Sequence, residues 1–176
     1  NGLIISMGQF GGTPWPTSAR GHFTFKSPAT GGYGHSNSGG NFGAELAKAG
    51  YDALVIQGAA KSPVYLKVTD SQIEIHPADD LWGMEVSALS DVLEPMGKVA
   101  CIGPAGENLA LISAIINDRN RAAGRAGGGA VMGSKKLKAV VVKADGQKKY
   151  PDEYKKLGIA NSKHVKTDPK LEALRR

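Results

Sequence analysis

Gly39-Gly40-Asn41-Phe42-Gly43-Ala44-Glu45-Leu46 leads through Ala49-Gly50 into the aliphatic run Asp52-Ala53-Leu54-Val55-Ile56-Gln57. The same order recurs downstream, where Gly127-Gly128-Gly129-Ala130-Val131-Met132-Gly133-Ser134-Lys135 leads into Leu137-Lys138-Ala139-Val140-Val141-Val142-Lys143. Each copy reads as a Gly-rich loop, a short helix and a buried strand. Two copies in one chain predict halves related by a pseudo-twofold, and a ligand that is itself doubled or bipartite. Chance similarity between glycine-rich segments is the competing explanation.

Working outward, Gly2 to Ser6 reads as a strand and His22 to Lys26 as a second, separated by a loop from Met7 to Arg20. A polar, Gly-rich stretch from Ser27 to Gly40 reads as loop, Phe42 to Ala49 as a helix, and Gly50 as its stop. The unbroken apolarity of residues 52–57 predicts a strand buried on both faces. Pro63 to Val68 and Gln72 to His76 form a predicted hairpin across Thr69-Asp70-Ser71. Met84 to Leu93 has the helical spacing of Val86, Leu89 and Leu93. Lys98 to Ile102 and Leu109 to Ile116 read as strands around a loop at Gly103 to Asn108, and Asn117 to Gly129 as a third Gly-rich loop. The hairpin and the scarcity of long helices predict an α+β fold, not a doubly wound parallel sheet.

The composition narrows the class. With 176 residues, 41% hydrophobic and 22% charged, the chain can bury a core. No apolar run of 18 residues spans a membrane, and no basic segment with an apolar core opens the chain as a signal peptide would. Cys101, the single cysteine, excludes an internal disulfide framework and any multi-cysteine metal site within these residues. A cytoplasmic location is the default expectation. From Ser134 onward there are 13 Lys/Arg against 5 Asp/Glu, and before it 9 against 11, so the net +6 is confined to the tail. That distribution argues against a nucleic-acid-binding face and fits a solvated helix surface. Asp168 before Pro169 is a helix start, with too little chain after it for a stable lone helix. A chain that opens on a strand and closes on a helix start reads as part of a longer polypeptide.

Chemistry concentrates in the glycine-rich loops. Such a loop opening a helix presents free N–H groups and the positive end of a dipole to an anion. Arg20, Arg121 and Arg125 stand in or beside these loops, and arginine suits phosphate. Neither G-x-x-x-x-G-K-[ST] nor G-x-G-x-x-G after a strand occurs, so the loops specify an anionic, phosphorylated ligand without naming it. Surface charge on a glycine-rich turn remains open as the plainer reading of Arg121 and Arg125. Glu107 and Asn108 are either catalytic or part of a polar turn. His22, His35, His76 and His164 lack metal-ligand spacing, and Trp15 and Trp82 are packing anchors or ligand platforms.

Thr30-Gly31-Gly32, Ser36-Asn37-Ser38-Gly39-Gly40-Asn41-Phe42-Gly43-Ala44-Glu45-Leu46 and Ala49-Gly50-Tyr51-Asp52-Ala53 together resemble the aldehyde ferredoxin oxidoreductases. So do Ile102-Gly103-Pro104-Ala105-Gly106-Glu107-Asn108-Leu109, Arg121-Ala122-Ala123-Gly124-Arg125 and Gly129-Ala130-Val131-Met132-Gly133-Ser134-Lys135 with Leu137-Lys138-Ala139. The motifs keep their order from Leu3 to about Ala144. Three places depart from the family pattern: Thr17-Ser18-Ala19-Arg20 lacks the glycines often found before the arginine, and Ala126 stands where glycine is common. Met7 to Thr13 also replaces the family's usual Gly-Pro-Leu-Thr-Gly-Thr.

The resemblance implies two mixed β-sheets related by a pseudo-twofold, with short helices outside. Residues 1–146 would be an N-terminal pterin-cofactor-binding domain lacking its first strands, and 147–176 the truncated start of a helical domain. It implies oxidation of small aldehydes to carboxylic acids with electrons passed to ferredoxin or a related subunit, no nucleic-acid or membrane partner, and leaves a homodimer open. The cofactor would be a tungsten (or molybdenum) bis-pterin, with a 4Fe-4S cluster only in the downstream part. Arg20, Asn37, Ser38, Gly39, Gly40, Arg121, Ala122, Gly124 and Arg125 match the family's cofactor contacts. Asn37 and Ala122 would turn backbone carbonyls to a Mg2+ bridging the two phosphates, and no catalytic residue falls in these 176 positions. The alternative is a stand-alone pterin- or nucleotide-binding module without catalysis.

Overall fold

A computed structural model describes residues 2–146 and 149–172, with side chains through 170. Residues 147 and 148, between which and 146 the sequence places a domain boundary, lie outside the described residues. The fold is α+β, built of two sheets.

The first sheet contains β1 (Leu3–Met7), β2 (Gly21–Lys26), β3 (Tyr33–Ser38) and β4 (Ala53–Ile56) in the order β3-β2-β1-β4, antiparallel throughout. Helix α1 (Phe42–Lys48) joins β3 to β4. The second sheet repeats this path. β7 (Lys98–Cys101), β8 (Ile115–Asn117) and β9 (Arg121–Ala123) form a meander, α4 (Gly128–Ser134) follows, and β10 (Leu137–Val142) returns antiparallel to β7. The order β9-β8-β7-β10 therefore matches β3-β2-β1-β4, and both helices have seven residues. The hairpin of β5 (Val64–Val68) and β6 (Ile73–Pro77) extends the second sheet by pairing β5 parallel to β10, so that sheet is mixed.

One apolar core joins the halves. Leu3, Ile5, Phe23, Phe42 and Leu46 from the first half pack with Ile102, Ile115, Met132, Val140 and Val142 from the second. Helix α2 (Val86–Leu93) covers the other face of the second sheet, setting Leu89 and Leu93 against Val99, Cys101 and Val141. α1 and α4 enter the core, and α4 is buried from Gly128 to Gly133. A short helix, α3 (Pro104–Glu107), packs on α4 where the sequence reads as loop. Helix α5 (Asp152–Thr167) lies outside, buries only Gly158 against Pro14 and Trp15, and rests Tyr154 on Phe10. Lys170 N–H donates to Asp168 Oδ1 at 2.8 Å before α6 (Pro169–Glu172), the expected cap.

Several expectations are corrected. β4 is not buried on both faces: Leu54 is buried but Val55 is 62% exposed. Its counterpart β10 is buried at every position because the β5 hairpin covers its edge and α2 its far face, and β4 has neither. The supposed loop from Ser27 to Gly40 contains β3, whose inward residues are the small Gly34, Ser36 and Ser38. At Gly34 the Phe25 ring fills that space, a Cβ there falling 3.0 Å from Phe25 Cε2. The third loop contains β9, and β8 is much shorter than residues 109–116 because Leu109 turns with φ +59°.

Candidate functional site

The strand registers draw the nine candidate residues into one region. Arg20 precedes Gly21, which lies opposite Ser38, while His22 lies opposite Asn37. Gly39 and Gly40 follow β3, and Gly39 O accepts from Asn117 Nδ2 at 2.8 Å. Asn117 lies opposite Arg121 in the β8–β9 pair, and Ala122, Gly124 and Arg125 continue that strand toward α4. Arg125 N–H donates to Ser36 Oγ at 3.2 Å, closing the circuit between the halves. The end of β3 and the loop after it thus lie beside β9 and the segment that follows it.

The fastening is reciprocal. Asp118, in the β8–β9 turn, accepts from the backbone N–H groups of Asn41 and Phe42 at the start of α1. Ser27, just after β2, donates through its hydroxyl to Ala126 O at 3.0 Å, ahead of α4. Each half therefore holds the helix entrance of the other. Sequence reasoning passed over Ser27, Ser36, Asn117 and Asp118. The polar run Asn117-Asp118-Arg119-Asn120 was the available signal, since such residues seek backbone partners in turns.

These contacts correct the expected anion cradles. The first N–H groups of α1 are taken by Asp118, and Gly129 N–H of the buried α4 entrance donates to Ser113 O at 3.0 Å. Those N–H groups are not free for a phosphate. Anion attraction falls instead to Arg20, Arg121 and Arg125, all exposed and, among the described residues, without a carboxylate partner. Nearby Arg119, by contrast, is gripped by Asp91 at 2.7 Å and Glu94 at 2.8 Å. Its hydrogen bonds to Asp91 and then Glu94 push its pKa above the ordinary guanidinium value.

The region has room for a bound group at the backbone. A Cβ added to Gly39 meets nothing within 4 Å, and at Gly124 it meets only Ala122 Cβ at 4.0 Å. Neither glycine has positive φ, so neither packing nor conformation within the chain calls for it. Beside them, Asn37 Oδ1 and Asn117 Oδ1 are buried without a hydrogen-bond partner, an arrangement that costs free energy until a donor or cation supplies one. Open backbone, orphaned acceptors and partnerless guanidinium groups fit a large polyanionic group carrying its own cation.

Other candidates resolve as structure. Glu107 accepts from Gly83 N–H at 2.9 and 3.0 Å and pairs with Lys138, which is fully buried and also donates to Met84 O at 2.8 Å. Asn108 Nδ2 donates to Pro104 O at 2.9 Å, closing α3. Trp15 stacks on Phe10 at 5.2 Å. Among the described residues no three His, Cys, Asp or Glu side chains gather as a metal site, and no helix is long and apolar enough to cross a membrane.

The fold is thus a doubled β-meander, with Arg20, Arg121 and Arg125 exposed where its two halves meet. The model of the aldehyde ferredoxin oxidoreductase N-terminal domain matches residues 1–144, and the chain belongs to that family. It is 51% identical over 156 residues to the tungsten-containing aldehyde ferredoxin oxidoreductase of Pyrococcus furiosus, covering 86% of this chain and 26% of that one. It is 40% identical over 138 residues to the WOR-like subunit of aliphatic sulfonate oxidoreductase from the same organism, covering 69% and 22%. The active-site complex BamBC of benzoyl coenzyme A reductase with 1,5-dienoyl-CoA contains a chain that superposes with a TM-score of 0.87 at 35% identity, covering 94% of this chain and 26% of that one. The chain spans about a quarter of the length of these relatives.

Proposed function

We propose that this chain is the cofactor-holding base of an oxidoreductase, carrying a tungsten or molybdenum bis-pterin at the seam between its two halves. The observation that supports it most is that Asn117 holds Gly39 and Ser36 holds Arg125, which brings the strand ends carrying Asn37–Gly40 and Arg121–Arg125 side by side. Arg20, Arg121 and Arg125 neutralise the pterin phosphates. Gly39 and Gly124 admit the cofactor to the backbone, and Ser38 and Gly40 frame the first loop. The carbonyls of Asn37 and Ala122 would supply hard oxygen ligands suited to Mg2+. When bound, the metal with its pterin sulfurs supplies two-electron redox chemistry; the residues here bind it, orient it and balance its charge.

The substrates named for the relatives, an aldehyde, a sulfonate and a coenzyme A thioester, differ widely although the matched region is shared. A common base under different chemistries is what a cofactor platform looks like, with substrate choice made elsewhere. For this chain the reading is oxidation of an aldehyde with electrons leaving through a 4Fe-4S cluster to ferredoxin. The cluster's ligands come from outside residues 1–146, since Cys101 is alone and buried. Residues 149–172 then begin the next, helical domain.

The test is Arg121→Ala in the enzyme as its gene encodes it, with metal and pterin measured per polypeptide. Leaving a phosphate underpaired costs about 2–5 kcal/mol, so occupancy should fall sharply. Normal tungsten or molybdenum loading would refute the cofactor assignment.

A further inference from the structure

We infer that Asp118 is a positioning residue for the first cofactor loop: a carboxylate from the second half of the domain sets the path of Gly39-Gly40-Asn41 in the first. The inference rests on the cofactor reading above and adds a residue to which the site residues themselves do not point.

Three observations converge on it. Asp118 Oδ2 receives the N–H groups of both Asn41 and Phe42, while Asn41 offers no side-chain cap of its own to α1. The carboxylate therefore supplies the cap that the local sequence lacks, from 77 residues away. Second, Gly40 has φ +94°, and a Cβ there would overlap Asp118 Oδ2. Both the backbone conformation and the adjacent carboxylate call for glycine at position 40, so loop and carboxylate fit each other. Third, the adjoining Asn117 fastens Gly39 O at 2.8 Å, and its buried Oδ1 is left without a partner beside the proposed phosphate region.

Asp118 is itself held in place. Asp118 and Arg119 both have positive φ, +45° and +64°, a conformation that costs free energy and persists where surroundings enforce it. The enforcing contacts are Asp118 N–H to Val99 O at 3.3 Å and the grip of Asp91 and Glu94 on Arg119. α2 thus fixes the turn, the turn fixes Asp118, and Asp118 fixes the loop. Because the same carboxylate occupies the N–H groups at the start of α1, it also keeps anions off the helix and leaves phosphate to the arginines. Geometry at the first loop consequently depends on a residue three positions ahead of Arg121 in the second.

The test uses the enzyme as its gene encodes it, with Asp118→Ala, Asp118→Asn, Asp118→Glu and, as control, Arg121→Ala. Two readouts are taken: amide exchange at Asn41 and Phe42 against Val140, and metal and pterin per polypeptide. In Asp118→Ala, exchange at Asn41 and Phe42 should rise tenfold or more with Val140 unchanged, and loading should fall below half. Asp118→Asn keeps an acceptor oxygen at the position and should restore both. Asp118→Glu keeps the charge but pushes against Gly40, so it should fold and load poorly; it decides the matter if the alanine variant does not fold. Full loading in Asp118→Ala or Asp118→Glu overturns the inference, as does an asparagine variant no better than alanine. If Arg121→Ala loads normally, the cofactor reading fails. If Arg121→Ala loses metal while the Asp118 variants keep it, only the positioning role fails.

Discussion

Gly133 of α4 lies directly against the Gly106 carbonyl of α3, so close that a Cβ would overlap the oxygen and come within 2.8 Å of the carbonyl carbon. The two helices approach at backbone distance, and each can do so because the other presents glycine. Gly133→Ala must push α3 off α4, at about 1–3 kcal/mol, the usual range for overpacking. Thermal unfolding should show a Tm several degrees lower, while Gly8→Ala, with nothing within 4 Å, should be neutral.

Glu107 and Lys138 form a buried pair in which, among the described residues, each is the other's one ion-pair partner. Glu107→Gln leaves the Lys138 ammonium uncompensated in the core, and breaking such a pair costs about 3–5 kcal/mol. Denaturant unfolding should register that loss, and Glu107→Gln/Lys138→Met should recover part of it.

Ala126 has φ +66°, and it is the position at which the family commonly carries glycine. Thr17, in the stretch lacking the family's glycines, has φ +62°. Left-handed backbone costs an L-residue about 1–2 kcal/mol, and a β-branched threonine bears it least well. Ala126→Gly should therefore raise stability by about 1 kcal/mol after the entropic cost of glycine, and Thr17→Gly should do so too. Calorimetry that shows either variant less stable would contradict the assigned backbone.

Burial pushes the Cys101 thiol up from 9.0 to about 12, against a smaller opposing effect of Lys138. In the unfolded chain the thiol ionises near its ordinary value while the folded one keeps its proton. The contribution is thus complete below pH 9 and is lost as pH rises from 9 toward 12. Between those limits the stability of the native protein should fall more steeply than that of Cys101→Ala. At pH 8 the thiol should resist alkylation until the protein unfolds.

Legibility in the sequence followed side-chain size. Strands with large inward residues, such as β2 with Phe23 and Phe25, were plain, and so was the β5–β6 hairpin. β3 was hidden because its inward positions are Gly34, Ser36 and Ser38, whose alternation carries no hydrophobic signal. The depth of β4 was overread because an apolar run cannot say whether a neighbour exists to cover it. At the site, the repeat and the arginines pointed to a bipartite anionic ligand and two related halves. The carboxylate and hydroxyls that join them were not legible, because hydrogen bonds between residues 77 to 99 positions apart leave no periodic trace.

The exchange of helix entrances between the halves has a consequence for synthesis. A ribosome delivers Asn41 well before Asp118, so α1 emerges with its first N–H groups unpaired and stays so until the β8–β9 turn has been made. Contacts of such long sequence separation form late and slowly. A half-made chain consequently leaves the start of α1 without the acceptor that pairs it. The pairing of that helix start therefore waits on the second half, an order of assembly written into the topology.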